Sequence, residues 1–363
     1  MDVISLGDDW RPKDLIEQWT SMIWTERWRQ AGDFSLQTAK IKDTMLQLPL
    51  GSMISLQDTR EACFVENYEI AKDANGADIL TVSGRSFETF FENRVALKEL
   101  KQIMDTSVSP DETFAFEIAN RTAGSAATYL MDIAASTSLS SNDLISTFNA
   151  YLSEDADVGS DTADRQMARG SVYAALLQLL EEQNAGVQNL RPLANNTPSM
   201  SMNIYRYHSG VNFLPNIALD VLAGHFTGPV KYTWSIKGMK TAVYVASKNA
   251  VVKVYQDGMS GYSGLDHRVD LLDLSDITSK ASSNLNGKLK AKGKSYLNKH
   301  KKVFALDGKV SPDIPYKYNV DYGLGDRFKI RGDYGAEDTV QVVEFIRSQA
   351  KDGGETGYPT YIT

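Results

Sequence analysis

A chain of 363 residues is too long for one ordinary hydrophobic core and predicts two or three domains. Its 42% hydrophobic and 23% charged residues are those of a globular protein, no run approaches the roughly 20 apolar residues of a membrane-spanning helix, and residues 1–11 lack the basic start and apolar core of a secretory leader, so folding in a cytoplasm without stable membrane insertion is expected. A single cysteine, Cys63, excludes an intramolecular disulfide and a thiolate zinc site, and a net charge of −8 argues against nucleic-acid binding as the main task.

The first hundred residues read as a β-rich unit. Residues 62–70 are rich in β-formers, Asn75-Gly76 is a hairpin signal, and 79–82 supply the returning strand. Phe87, Phe90 and Phe91 then follow at i, i+3, i+4, the spacing of a short amphipathic helix. Residues 101–190 read as a mostly helical insert, with helices at 126–137, 142–152 and 164–183, the last stopped by Gly186. Residues 188–199 read as a linker. A second β-rich unit spans 191–265 and 303–363, with strands at 230–236, 241–246, 251–255, 327–330 and 339–346. A helical excursion from 271 to about 300 interrupts it. The predicted class is α+β, mainly β.

Chemistry-bearing constellations are sparse. His208, His225, His267 and His300 form no H-x-x-x-H pair, and each reads as a surface or hydrogen-bonded histidine rather than a ligand or base. Cys63 sits inside a predicted strand, where a cysteine acts as a small hydrophobe more often than as a nucleophile. Gly258-x-x-Gly261-x-x-Gly264 matches no phosphate-binding loop and reads as a surface loop. The acidic run Glu154, Asp155, Asp157, Asp161, Asp164 fails the calcium-loop test, because Ser160 and Gln166 stand where glycine and glutamate are needed. No catalytic residue, cofactor or metal is therefore assigned. Residues 280–302 carry eight lysines and no acid, above an apolar stripe of Leu285, Leu289, Tyr296 and Leu297. Lys288, Lys290, Lys292 and Lys294 read as a basic assembly face, with a nucleic-acid or membrane surface as the alternative.

Residues 23–36, I-W-T-E-R-W-R-Q-A-G-D-F-S-L, resemble the N-terminal signature of the tail-hub (baseplate hub, or minor tail) proteins of siphophages that infect Gram-positive bacteria. In that family an aromatic, a T-E-R triplet and a G-x-F-x-L strand follow at this spacing. Downstream, residues 51–56, L-T-V-S-G-R-S-F-E-T-F-F-E-N-R at 80–94, Y-G-L-G-D-R-F-K at 322–329 and a closing strand at 340–346 keep the family's order. Residues 123–186 match nothing in it, and the chain ends without the C-terminal extension that often carries a peptidase or lysin. The resemblance implies two tube-like β-barrel domains, residues 1–100 and 191–265 with 303–363. It also implies inserts at 101–190 and 266–302. Three chains would then offer six barrels, so that a homotrimer closes the tail tube, adapts sixfold to threefold symmetry and surrounds the channel for tape-measure protein and DNA. A distal tail ring protein, the tape-measure protein, and tail-fibre or receptor-binding proteins are the implied partners, and the virion tail tip is the implied location. Trp24, Glu26, Arg27, Gly32, Phe34, Gly84, Arg85 and Asp326 are the family-marker or interface candidates, with plain core and turn roles as the simpler reading. The rival functions are a tail-carried peptidoglycan hydrolase and a receptor-binding adhesin.

Overall fold

The computed structural model describes residues 1–94, 116–135, 148–153, 163–167, 170–192, 199–274, 285–311 and 313–362. Among the described residues strand accounts for 43% and helix for 19%, a mainly β composition, as the sequence predicts.

The largest sheet has eight strands and draws on both ends of the chain. Strand Ser21–Arg27 pairs antiparallel with Asp33–Thr38, which pairs with Asp78–Arg85 and then Asn67–Lys72. On its other side Ser21–Arg27 pairs with Glu337–Ala350, from Arg27 opposite Glu344 to Ser21 opposite Ala350. Arg327–Arg331, Ala218–Asp220 and Thr356–Ile362 complete the sheet. Side chains alternate across a strand, so the register stacks Trp24, Phe34 and Gly84 in one row and Met22, Leu36 and Val82 in the next, all buried. A second sheet, Pro12–Ile16, Val3–Leu6, Met53–Leu56 and Cys63–Phe64, covers these rows with Val3, Ile16, Ile54, Leu56 and Cys63. Among the described residues no sheet closes on itself, and the two predicted β units share a sheet.

Among its described residues the insert holds strands as well as helices, and residues 142–147 of the second predicted helix lie outside them. Helices Ala123–Ala135 and Val172–Gln183 form, but residues 148–152 are a strand, running parallel to Met200–Tyr205. Phe148, Ala150 and Leu152 recur every second residue there, a period that fits a strand. The third predicted helix starts late, because Ser171 caps it by accepting from Ala174 N at 3.2 Å, while Ala163–Met167 pairs as a strand with Phe116–Arg121. Its stop is Asn184 in the left-handed conformation (φ 52°), not Gly186, which opens strand Gly186–Leu190 inside the predicted linker.

Strand Ala242–Ala246 pairs antiparallel with Val251–Tyr255 on one side and parallel with Val269–Asp273 on the other, and the first two carry helix Leu285–Asn298. Val243, Val245, Val254, Leu289 and Leu297 form their shared core. The first two strands are therefore partners of the lysine-rich helix, whose apolar stripe needs a sheet face on which to bury.

Candidate functional site

The motif strand lies where three regions of the chain meet, and the family-marker residues gather there. Trp24 is fully buried and stacks on Phe34 with ring centroids 6.2 Å apart. Gly84 closes their row because strand Cys63–Phe64 crosses directly above it; a Cβ would lie 1.7 Å from Phe64 O. Gly32 is bare for the same reason, a Cβ there falling 2.3 Å from Thr25 O, and its N–H donates to Ser86 Oγ at 2.8 Å. Arg27 ties the two ends of the chain together, pairing with Asp33 and with Glu344 at 2.7 Å. Arg85 grips Glu66 through two bonds of 2.8 and 2.9 Å and reaches Glu92 at 2.9 Å.

Trp28, one residue past the strand, locks the insert to the C-terminal region. Its N–H donates to Val343 O and its carbonyl accepts from Val187 N, both at 2.8 Å. A Cβ on Gly186 or on Gly325 would collide with its indole. Arg29 covers the ring at 4.6 Å and donates to Ala185 O at 3.0 Å.

Three carboxyl groups are buried at this joint: Glu26, Glu61 and Glu88 are 1%, 4% and 3% exposed. Glu26 accepts from Tyr318 OH at 2.7 Å, and Tyr318 lies flat on Phe345 with centroids 3.7 Å apart. Glu88 accepts from the backbone and side-chain amides of Asn189 at 3.0 Å, while Asn189 Oδ1 accepts from Ala62 N at 2.7 Å. Burial raises all three carboxyl groups above the ordinary carboxylate range, and Glu61, facing both Glu26 and Glu88, is raised well above it. Sequence reading misses Trp28, Glu61, Glu88 and Tyr318, whose partners lie far away along the chain.

Asp326 is fully buried at a turn, where it accepts from Ser209 N at 2.9 Å, Ser209 Oγ at 2.8 Å and Gly323 N at 2.9 Å. The lysines lie elsewhere, on helix Leu285–Asn298. Lys290 and Lys294 are exposed, whereas Lys288 is only 5% exposed. Burial lowers the pKa of half-buried Lys292 against the opposing pull of Glu182, and Lys299 pairs with Glu181 at 2.9 Å. Part of the basic run is thus answered within the chain, at the end of helix Val172–Gln183.

The nucleophile and base candidates are dispersed. Burial, then Glu61 and Glu88, push the Cys63 thiol well above its usual range, the reverse of activation. His225 Nδ1 accepts from Asp220 N at 3.1 Å, His300 stacks on Tyr296 at 4.1 Å, His267 lies 3.3 Å from Lys253 Nζ, and His208 packs on Gly323. Gly258 and Gly264 are exposed turn residues with left-handed φ. Of the acidic run only Asp164 lies among the described residues, within strand Ala163–Met167. No group of three or more His, Cys, Asp or Glu able to hold a metal occurs among the described residues.

The sheet shared by both ends has counterparts in known proteins. Residues 6–359 match the model of the siphovirus ReqiPepy6 Gp37-like protein family. The chain belongs to that family. Its fold is similar to that of a tail protein from Neisseria meningitidis MC58 (TM-score 0.58, 11% identity), with 100% of this chain and 96% of that one aligned. It is also similar to the 43 kDa tail protein of prophage MuSo2 from Shewanella oneidensis (0.60, 12%, 100% and 98%). A third likeness is to prophage tail protein gp18 from Listeria monocytogenes EGD-e (0.54, 9%, 99% and 94%). At these identities the likeness is one of fold. No curated protein matches the chain in sequence. The chain is thus a siphovirus protein with a phage-tail fold.

Proposed function

We propose that the chain is a non-enzymatic structural protein of the siphovirus tail, the hub of the tail tip. The observation that carries this reading is the full-length agreement, in family and in fold, with phage tail proteins. The joint supports a structural role: its glycines and tryptophans fix the relative position of chain segments far apart in sequence. In this reading residues 1–100, and 191–265 with 303–363, supply two tube-like β-barrel domains, so that three chains offer six. The homotrimer closes the tail tube, matches a sixfold ring above to threefold symmetry below, and surrounds the channel through which tape-measure protein and DNA leave. The distal tail ring protein sits above it and tail-fibre or receptor-binding proteins below. Lys290 and Lys294, the exposed part of the basic helix, face an acidic neighbour or the channel, an attraction that salt screens over about 10 Å.

Mass measurement and negative-stain imaging of the purified full chain test the proposal, with a squat threefold ring as the expected result. A chain that stays monomeric at high concentration, or that forms an elongated spike, overturns the hub reading. Hydrolysis of host cell walls by the purified chain would overturn the structural one.

A further inference from the structure

Strand Met200–Tyr205 turns two unlike faces to its surroundings. Met200, Met202 and Ile204 enter the core of the insert, so Ser201, Asn203 and Tyr205 point the other way. Beside that polar face lies a cavity of about 320 Å3, lined by Ser153, Gln188, Asn203, Tyr205, Tyr207 and His208. This volume falls at the lower end of the range for small-molecule sites. Gln188 stands opposite Asn203 in the ladder, which places two carboxamides side by side on the wall.

We infer that this cavity binds a neutral polyhydroxylated ligand of monosaccharide size. The lining contains amides, hydroxyls, phenols and an imidazole but no carboxylate, ammonium or guanidinium, the mixture of donors and acceptors that matches vicinal hydroxyl groups. Part of that capacity is unused within the chain. Tyr205 is only 5% exposed, yet no hydrogen bond reaches its hydroxyl among the described residues. Asn203 accepts at Oδ1 from Ser153 Oγ at 3.0 Å, and its amide nitrogen donates to no described residue. Neither atom is sealed from solvent, so each faces the cavity, where a ligand hydroxyl takes the place of water. The ring of Tyr207, which is partly exposed, adds apolar surface suited to the C–H face of a sugar ring, while that of Tyr205 packs into the core beside Trp28 and Leu324.

Electrostatics narrow the class further. Burial, with Glu61, Glu26, Asp326 and Glu88 nearby, raises the Tyr205 phenol well above its usual range. Burial that disfavours a phenolate there also disfavours a carboxylate or phosphate. The far wall is held in place before any ligand arrives. Asp326 fixes Ser209, Gly210 N donates back to Tyr207 O at 3.0 Å, and Gly323 leaves room for His208, whose ring a Cβ would meet at 2.3 Å. Asp326 is thus a positioning residue for the cavity.

The inference is independent of the hub reading, since the cavity lies within one chain. The test uses the purified full chain, with glucose, galactose and N-acetylglucosamine as neutral probes and glucuronate as the anionic one, followed by saturation-transfer NMR and calorimetry. At least one neutral sugar is expected to bind, with glucuronate weaker by about tenfold or more. Tyr205→Phe, which removes one oxygen and keeps the ring, is expected to weaken binding about tenfold at an unchanged melting temperature, and Asn203→Ala to do the same. If Asn203→Ala does not fold, Tyr205→Phe alone carries the test. Absence of binding by all three neutral sugars in the high-millimolar range, equal binding by wild type and Tyr205→Phe, or preference for glucuronate overturns the inference and leaves a solvent-filled cavity.

Discussion

The eight-stranded sheet and the module carrying the lysine-rich helix bury their apolar faces in opposite ways. In the sheet the rows are assembled from segments far apart in sequence: Arg27 and Glu344, 317 positions apart, form one ion pair. In the module every core residue lies between Val243 and Leu297. Their glycines show the same contrast. Gly84 is opposed by a backbone carbonyl at 1.7 Å, whereas Gly293 is opposed by the Val254 side chain at 2.6 Å. Backbone in a paired strand cannot retreat, and a methyl group can. The sheet therefore specifies residues individually, while the module asks mainly for a pattern.

Five variants sharpen or break this contrast, beginning with the largest expected effect. Gly84→Val should cost at least ~3 kcal/mol, the upper end of overpacking, and abolish soluble folded protein. Recovery of a cooperative urea transition near that of wild type would show that the crossing strand does not fix this site. Leu289→Ala should cost about 2–5 kcal/mol within the module alone. Hydrogen exchange should quicken at residues 242–255 and 269–273 and stay unchanged at 21–38; equal acceleration in both would erase the distinction.

Glu61→Gln acts through pH. The folded state holds the Glu61 proton above its ordinary pKa, so the favourable contribution is complete below the unfolded value near 4.5 and is lost as pH rises through the folded one. Wild-type stability should thus fall with rising pH, by at most about 1.4 kcal/mol per unit for this proton, and Glu61→Gln should flatten the slope and gain stability at pH 7–8. Urea melts at pH 5, 6, 7 and 8 measure it; parallel slopes in both proteins would mean Glu61 is not the group responsible. Gly293→Ala should change stability by no more than about 1 kcal/mol, as better helix propensity offsets the shift forced on Val254. The double change Lys290→Glu with Lys294→Glu should leave the melting curve within ~0.5 kcal/mol of wild type. Its effect on ring formation, read by light scattering at two salt concentrations, separates an assembly face from a solvated one.

What could be read in advance follows the same division. Trp24, Phe34 and Leu36 were legible only through the resemblance of residues 23–36 to a family signature that contains a G-x-F-x-L strand. The stripe Leu289 and Leu297 was legible because helical spacing is local. Residues 148–152 were misread because one strand's worth of alternation followed a segment that read as helical. The role of Trp28 and the burial of Glu26, Glu61 and Glu88 had no local signature, since glutamate is ordinarily a surface residue and only long-range pairing encloses these three. The same pairing explains why two β units separate in sequence share one sheet: the register between Ser21–Arg27 and Glu337–Ala350 is a property of neither segment alone.

The wide separation of those two strands also sets a timetable. During synthesis, Ser21–Arg27 can pair at once with Asp33–Thr38, but its other edge is completed only by residues 337–350. At about 5–20 residues per second, that edge waits roughly 15–60 s for its own chain to supply the partner. Contacts of this range make folding slow, and an open strand edge is a template for any complementary strand nearby. On a polysome the nearest such strand belongs to another growing copy. The risk of mispairing is therefore built in before the last strand is made, and a truncation anywhere upstream of residue 337 makes it permanent.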